Sequence, residues 1–286
     1  MLRVFIICLL MLLISGCSFN KIAVWASMPM IEGGMQALYQ EPDLKLAKSA
    51  FAPNIELLEG MIINDPYNQQ LHEYAAQAYY GYAFGFIEDN NPARAIALYK
   101  RGLNHGLAAL KLAGLDVDGF NAKPDILKQH IDRLGKNAVG ALFWTASNWA
   151  KWIDLQRDNI DRIAELPRPV MMMDKVLQLD ESYFHAGPHI FMAVYYGSRS
   201  PMLGGDFKLS EQHFDTARKL TNNQFDMINV LQAQYLEVQK MDQVKFNHLL
   251  KKTLTHEDHE VSDLVLMNAI ARRKAQLFLS REQQWF

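Results

Sequence analysis

The chain has 286 residues, half of them hydrophobic, and its 29 basic and 31 acidic side chains leave a formal charge of −2. That length and apolar content suffice for a sizeable core. The near balance of charge excludes nucleic-acid binding by bulk charge, and no basic run or RNA-binding motif offers another route to nucleic acid. Ten prolines and 16 glycines are too few for long disordered linkers.

The chain opens with MLRVFIICLLMLLISGC: one basic residue, Arg3, an apolar run from Val4 to Ile14, then Ser15-Gly16-Cys17. A positive start, a short apolar run and small residues before a cut site make a secretory signal. The run, about 11 residues, is too short to span a bilayer, which takes about 20. Ile14-Ser15-Gly16-Cys17 resembles the lipobox of bacterial lipoproteins. The resemblance implies cleavage after residue 16 and acylation of Cys17, which would then carry two or three acyl chains and hold the protein on a membrane. Cys8 would leave with the signal, so no disulfide is available. Ser18 follows Cys17, in place of the Asp that resemblance to enterobacterial lipoproteins would read as inner-membrane retention. The expected location is therefore the periplasmic face of the outer membrane.

Residues 17–34 are expected to form the lipidated cysteine and a tether closed by Gly33-Gly34, residues 35–280 a helical domain, and residues 281–286 a tail. Alternating runs with hairpin turns are scarce, whereas helical signals recur, so the chain is all-α. Pro92 suits a first helical position and Asp206 an N-cap. Ala95, Tyr99 and Gly102, and again Ser210, Phe214 and Ala217, show the small-large-small spacing of the second helix of a tetratricopeptide unit. Tyr79, Tyr82, Ala83 and Phe86 match its first helix. A further pair is expected from FDMINVLQAQYLEVQ with QVKFNHLLKKTL. The expected architecture is a set of degenerate tetratricopeptide-like antiparallel helix pairs stacked in a curved solenoid.

Three of five tryptophans fall in ALFWTASNWAKWIDL, residues 141–155. On a helical wheel Trp149 and Trp152 share a face with Leu142, Ala146 and Ile153, which is ordinary core. Trp144 lies in line with Asn148 and Lys151. That mixed surface suits a ligand groove or a subunit contact, and Trp144 itself also suits core. If it lines a groove or an interface, Trp144 should be partly exposed while Trp149 is buried. Asp154, Asp158 and Asp161 argue against a membrane surface for this helix.

Other constellations carry little chemistry. His185 and His189 have the spacing of a helical metal pair, but Gly187-Pro188 lies between them and should splay the rings. His256 to His259 (HEDH) is a solvated loop, and Asp116 to Gly119 lacks an EF-hand's closing ligands. Gly204-Gly205-Asp206 makes a turn with a cap, and Met171-Met172-Met173 suits adaptable core packing. No nucleophile motif is present, so neither catalytic residues, metal nor cofactor are expected.

AGPHIFMAVYYGSRSPMLGGDFKLSEQHF, ALFWTASNWAKWIDL and LMNAIARRKAQLFL resemble the T component of TPR-protein-associated TRAP transporters (TatT), a likeness extending over about residues 35–279. Pro188 after Gly187, Tyr195-Tyr196 and the turn from Pro201 to Asp206 are its most specific marks. The resemblance implies a helical periplasmic lipoprotein, association with the solute-binding protein of a TRAP importer, ligand clefts and a homotrimer. TRAP importers carry organic acids, so Arg199 with Tyr195 or Tyr196 becomes a candidate carboxylate holder. The competing expectation is a repeat lipoprotein serving outer-membrane or pilus assembly.

Overall fold

The computed structural model describes residues 16–255 and 262–286. The signal expected at residues 1–16 lies almost wholly outside that range, as does the loop expected at His256–His259. Twelve principal helices follow one another: α1 Gly16–Tyr39, α2 Leu44–Asn64, α3 Gln69–Tyr82, α4 Pro92–Leu112, α5 Pro124–Asp132, α6 Val139–Asp154, α7 Pro167–Leu179, α8 Tyr183–Gly197, α9 Phe207–Leu220, α10 Met227–Gln232, α11 Gln243–Thr255 and α12 Val265–Ser280. No strand occurs among the described residues.

Local chemistry sets many of the starts. Asp43, Asn68, Asn91 and Asp206 each cap a helix by accepting a backbone N–H with the side chain. Pro92 occupies the first turn of α4, where its missing N–H costs nothing. Two helices run on through a π turn, α3 through Ala83–Ile87 and α10 through Ala233–Glu237.

Neighbouring helices pack in pairs: α3 with α4, α8 with α9, α11 with α12. The expected repeat positions are the contact positions. Ala95, Tyr99, Ser210, Phe214 and Ala217 are fully buried. Gly102 and Gly106 of α4 bring that helix onto Asn148 and Thr145 of α6, where an added Cβ would lie 2.2 and 2.4 Å from side-chain oxygens. The last helix returns to the first two, since α12 packs against α1 and α2.

Residues 18–34, expected as a tether, belong to α1. Val24, Met28 and Ile31 recur at helical spacing and pack on Leu58, Met61 and Ile62 of α2 and Leu71 of α3, so burial of one stripe favours a helix and Gly33-Gly34 do not interrupt it.

α8 begins unusually. Phe184, His185 and Ala186 are left-handed, with φ of 46°, 58° and 60°. Residues with a Cβ are strained there. Gly187 follows, and a side chain on it would strike the Phe143 ring 2.5 Å away. The bend separates His185 from His189, as Gly187-Pro188 suggested. His185 rests edge-on against Phe225. His189 has its Nδ1 2.9 Å from Nδ1 of His213 and its Nε2 3.1 Å from Glu181.

Candidate functional site: a ligand cavity between the helix pairs

A cavity of about 760 Å³ opens between α1–α3 on one side and α6, α8, α10 and α12 on the others. That volume lies within the range of small-molecule sites. Its wall is mostly apolar, with the rings of Phe51, Phe84, Phe143, Trp144 and Phe184 prominent. Trp144 and Phe184 meet edge to face at 4.7 Å, and Tyr80 lies 5.7 Å from Trp144. The left-handed start of α8 places Phe184 in this wall. Both π turns contribute as well, Phe84 from α3 and Tyr235 from α10. Such turns widen a helix locally and re-aim side chains, and they recur at functional sites.

The charged side chains of the wall come in two patches. In the first, Lys151 of α6 places Nζ 3.1 Å from both Glu88 and Asp154 and 3.2 Å from the hydroxyl of Tyr235. Tyr235 donates to Asp154 at 2.6 Å, and Arg157 bonds the same carboxylate. Behind the wall, Lys274 of α12, 1% exposed, bridges Glu88 and Asp89 at 2.9 Å each, and Tyr99 donates to Glu88. Burial alone would raise the Asp154 carboxyl, but Lys151, Arg157 and the Tyr235 hydroxyl hold it at about 2. Burial likewise opposes the charge on Glu88, and Lys151 and Lys274 outweigh it. Lys151 is itself driven well above its usual value, because its acidic neighbours overcome its burial. Every charge in this patch has an opposite charge beside it.

The second patch is Arg199, just beyond the end of α8. Its guanidinium lies 3.9 Å over the Tyr195 ring and donates from Nη2 to the Tyr195 carbonyl at 2.9 Å. Its Nε is buried and makes no hydrogen bond. No carboxylate pairs with it among the described residues, and both Tyr195 and Arg199 line the cavity.

The expected site residues divide accordingly. Trp144, Lys151, Tyr195 and Arg199 come together on the cavity. Asn148 and Tyr196 do not reach it. Asn148 is wedged at the crossing of α6 with α3 and α4, donating to the carbonyls of Ala76 at 3.0 Å and Trp144 at 2.8 Å. Tyr196 is stacked on His213. Trp144 is only 3% exposed, which corrects the expectation of partial exposure: it faces an internal cavity. Trp149 is fully buried, stacked on Phe120 and bonded to Glu165. Cys17 lies in the first turns of α1. Glu88, Tyr235 and Lys274 went unnoticed in the sequence, and Asp154 was read only as a charge set against a membrane surface. Lys274 left a faint signal, as the one of three consecutive basic residues that shares a helical face with Ile270, Ala271 and Phe278.

A family model described as TRAP transporter T-component matches residues 40–286. The chain belongs to this family. It is an accessory family of transporters and not a family of enzymes, and membership implies association with other TRAP transporter components. No curated protein matches the chain. Among the described residues no helix of this T component is long and apolar enough to cross a membrane.

Proposed function

We propose that this T component is a tetratricopeptide-like curved scaffold, anchored by acylated Cys17 on the periplasmic face of the outer membrane. There it docks the solute-binding protein of a TRAP importer, as a homotrimer, and receives or passes that protein's ligand through the cavity. The ligand is an amphipathic organic anion. Its apolar body lies against Phe51, Phe84, Trp144 and Phe184, and its carboxylate meets Arg199 beside Tyr195.

The observation that carries this reading is the unpaired Arg199 on an apolar cavity. A half-buried cation with no carboxylate beside it and a buried Nε left unbonded is costly, and the planar donor set of arginine suits a carboxylate. Lys151 does not compete for the anion, because Glu88 and Asp154 already neutralise it.

Native mass spectrometry of protein purified from its own membranes tests the proposal, followed by titration of the ligand found. An anionic amphiphile is expected. Arg199→Gln should weaken its binding by about 1.5–3 kcal/mol, roughly ten- to a hundredfold. A cationic or sugar-like ligand, or unchanged affinity in Arg199→Gln, would remove Arg199 from the role.

A further inference from the structure

The outer side of α1 is apolar yet covered by nothing among the described residues. Val24, Met28 and Ile31 turn inward, while Ile22, Trp25 and Met30 on other sides of the helix are 58%, 76% and 80% exposed. Lys21 Nζ lies 3.9 Å from Asp65, which sets the end of α2 beside the start of α1. That end adds two more exposed apolar side chains, Ile63 at 81% and Tyr67 at 76%. One end of the molecule thus presents two isoleucines, a tryptophan and a tyrosine. Its charges are engaged: Lys21 with Asp65, and Glu32 as acceptor from Tyr74 and Gln70 of α3.

We infer that this end, the outer side of α1 with Ile63 and Tyr67, lies on a lipid bilayer surface. The chain preceding α1 decides between occupants. Residues 4–14 are a continuous apolar run, and α1 begins two residues after it ends. In the precursor the run itself holds the start of α1 at the membrane. In the mature protein the acyl chains on Cys17 do so, and to that extent the inference rests on the proposed acylation. Eight residues of helix separate Cys17 from Trp25, about 12 Å along the axis at 1.5 Å per residue, so a helix lying along the surface keeps Trp25 in the interfacial layer beside the anchor. Tryptophan and tyrosine prefer that layer, having an apolar body and a polar tip. Since α1 is not apolar enough to span, it lies along the surface.

The test uses the protein purified from its membranes and reconstituted in phosphatidylethanolamine–phosphatidylglycerol vesicles carrying bromine on their acyl chains. Bromine quenches only tryptophans close to the lipid. Trp144, Trp149 and Trp152 are buried, and Trp285 packs on Phe246 and Phe278. Brominated lipid should therefore quench the wild type, and the quenching should vanish in Trp25→Phe, an exposed substitution that leaves the fold intact. The mass of the purified chain reports acylation separately. An acylated chain in which Trp25→Phe changes nothing would overturn the inference and leave the anchor standing. An unacylated chain that still shows Trp25-dependent quenching would remove the anchor and support the surface contact. Trp25 emission that instead shifts with protein concentration, unaffected by lipid, would assign this side to a second copy and overturn the inference.

Discussion

Two cations, Arg199 on the cavity and Lys274 behind its wall, stand in opposite company. Lys274 is almost completely buried and has two carboxylates at 2.9 Å. Arg199 has a backbone carbonyl and the face of a tyrosine, and an Nε with nothing to bind. The first arrangement ties α12 to the end of α3, closing the last helix onto the early ones. It belongs to the architecture. The second has no such structural return, because Arg199 bonds only within its own turn. The contrast separates charge that builds the cavity from charge that awaits something inside it.

The contrast is sharpest when each cation is removed in turn. Lys274→Met leaves Glu88 and Asp89 buried with fewer partners, so it should cost about 3–5 kcal/mol of stability, read by denaturant unfolding. Arg199→Gln should leave stability within about 0.5 kcal/mol, and its effect should appear in ligand affinity at the size given above. Equal stability losses in the two variants would dissolve the distinction. The next effect is on acid stability. The Asp154 carboxyl is held at about 2 against a usual value of 3.8, so the folded state favours its ionised form. That contribution, roughly 2 kcal/mol, is complete above about pH 5 and is lost as pH falls toward 2. Unfolding measured from pH 6 to pH 2 should show a shallower acid limb in Asp154→Asn than in the wild type. The smallest effect concerns the turn carrying Arg199. Asp206 accepts from the Leu209 N–H at 2.9 Å, and its own N–H donates to the Tyr196 carbonyl at 3.1 Å. Asp206→Ala removes the cap and should lower stability by about 1 kcal/mol, measured as a small fall in Tm. No change would show that the backbone bond alone holds the turn.

The helix pairs were legible because their signals are local. Ala95, Tyr99 and Gly102 declare a contact face within one short stretch, and Pro92 and Asp206 declare where helices start. The site was legible only in part. A helical wheel assumes one buried side, but α6 is packed against α3, α4, α7 and α8. Trp144 and Asn148 share a wheel face, yet one looks into the cavity and the other into a helix crossing. The charge network was illegible for a different reason. Lys274 and Glu88 are 186 residues apart, and neither residue type nor spacing announces such a pair. The helical start at residues 16–39 was obscured by reading Gly33-Gly34 as a break, when the buried stripe of Val24, Met28 and Ile31 outweighs two weak helix formers.

The π turn at Ala83–Ile87 limits how this sequence can vary in length. It accommodates one residue more than a regular helix would need, so losing one residue there would leave α3 better hydrogen-bonded and easier to fold. The same deletion would swing Glu88 by about 100° around the helix axis, away from Lys151, Lys274 and Tyr99 together. Local regularity and the long-range ion network therefore pull in opposite directions at this one position. A T component that keeps its closing helix must keep the irregularity, and the length of the FGFIED segment is constrained more tightly than its composition.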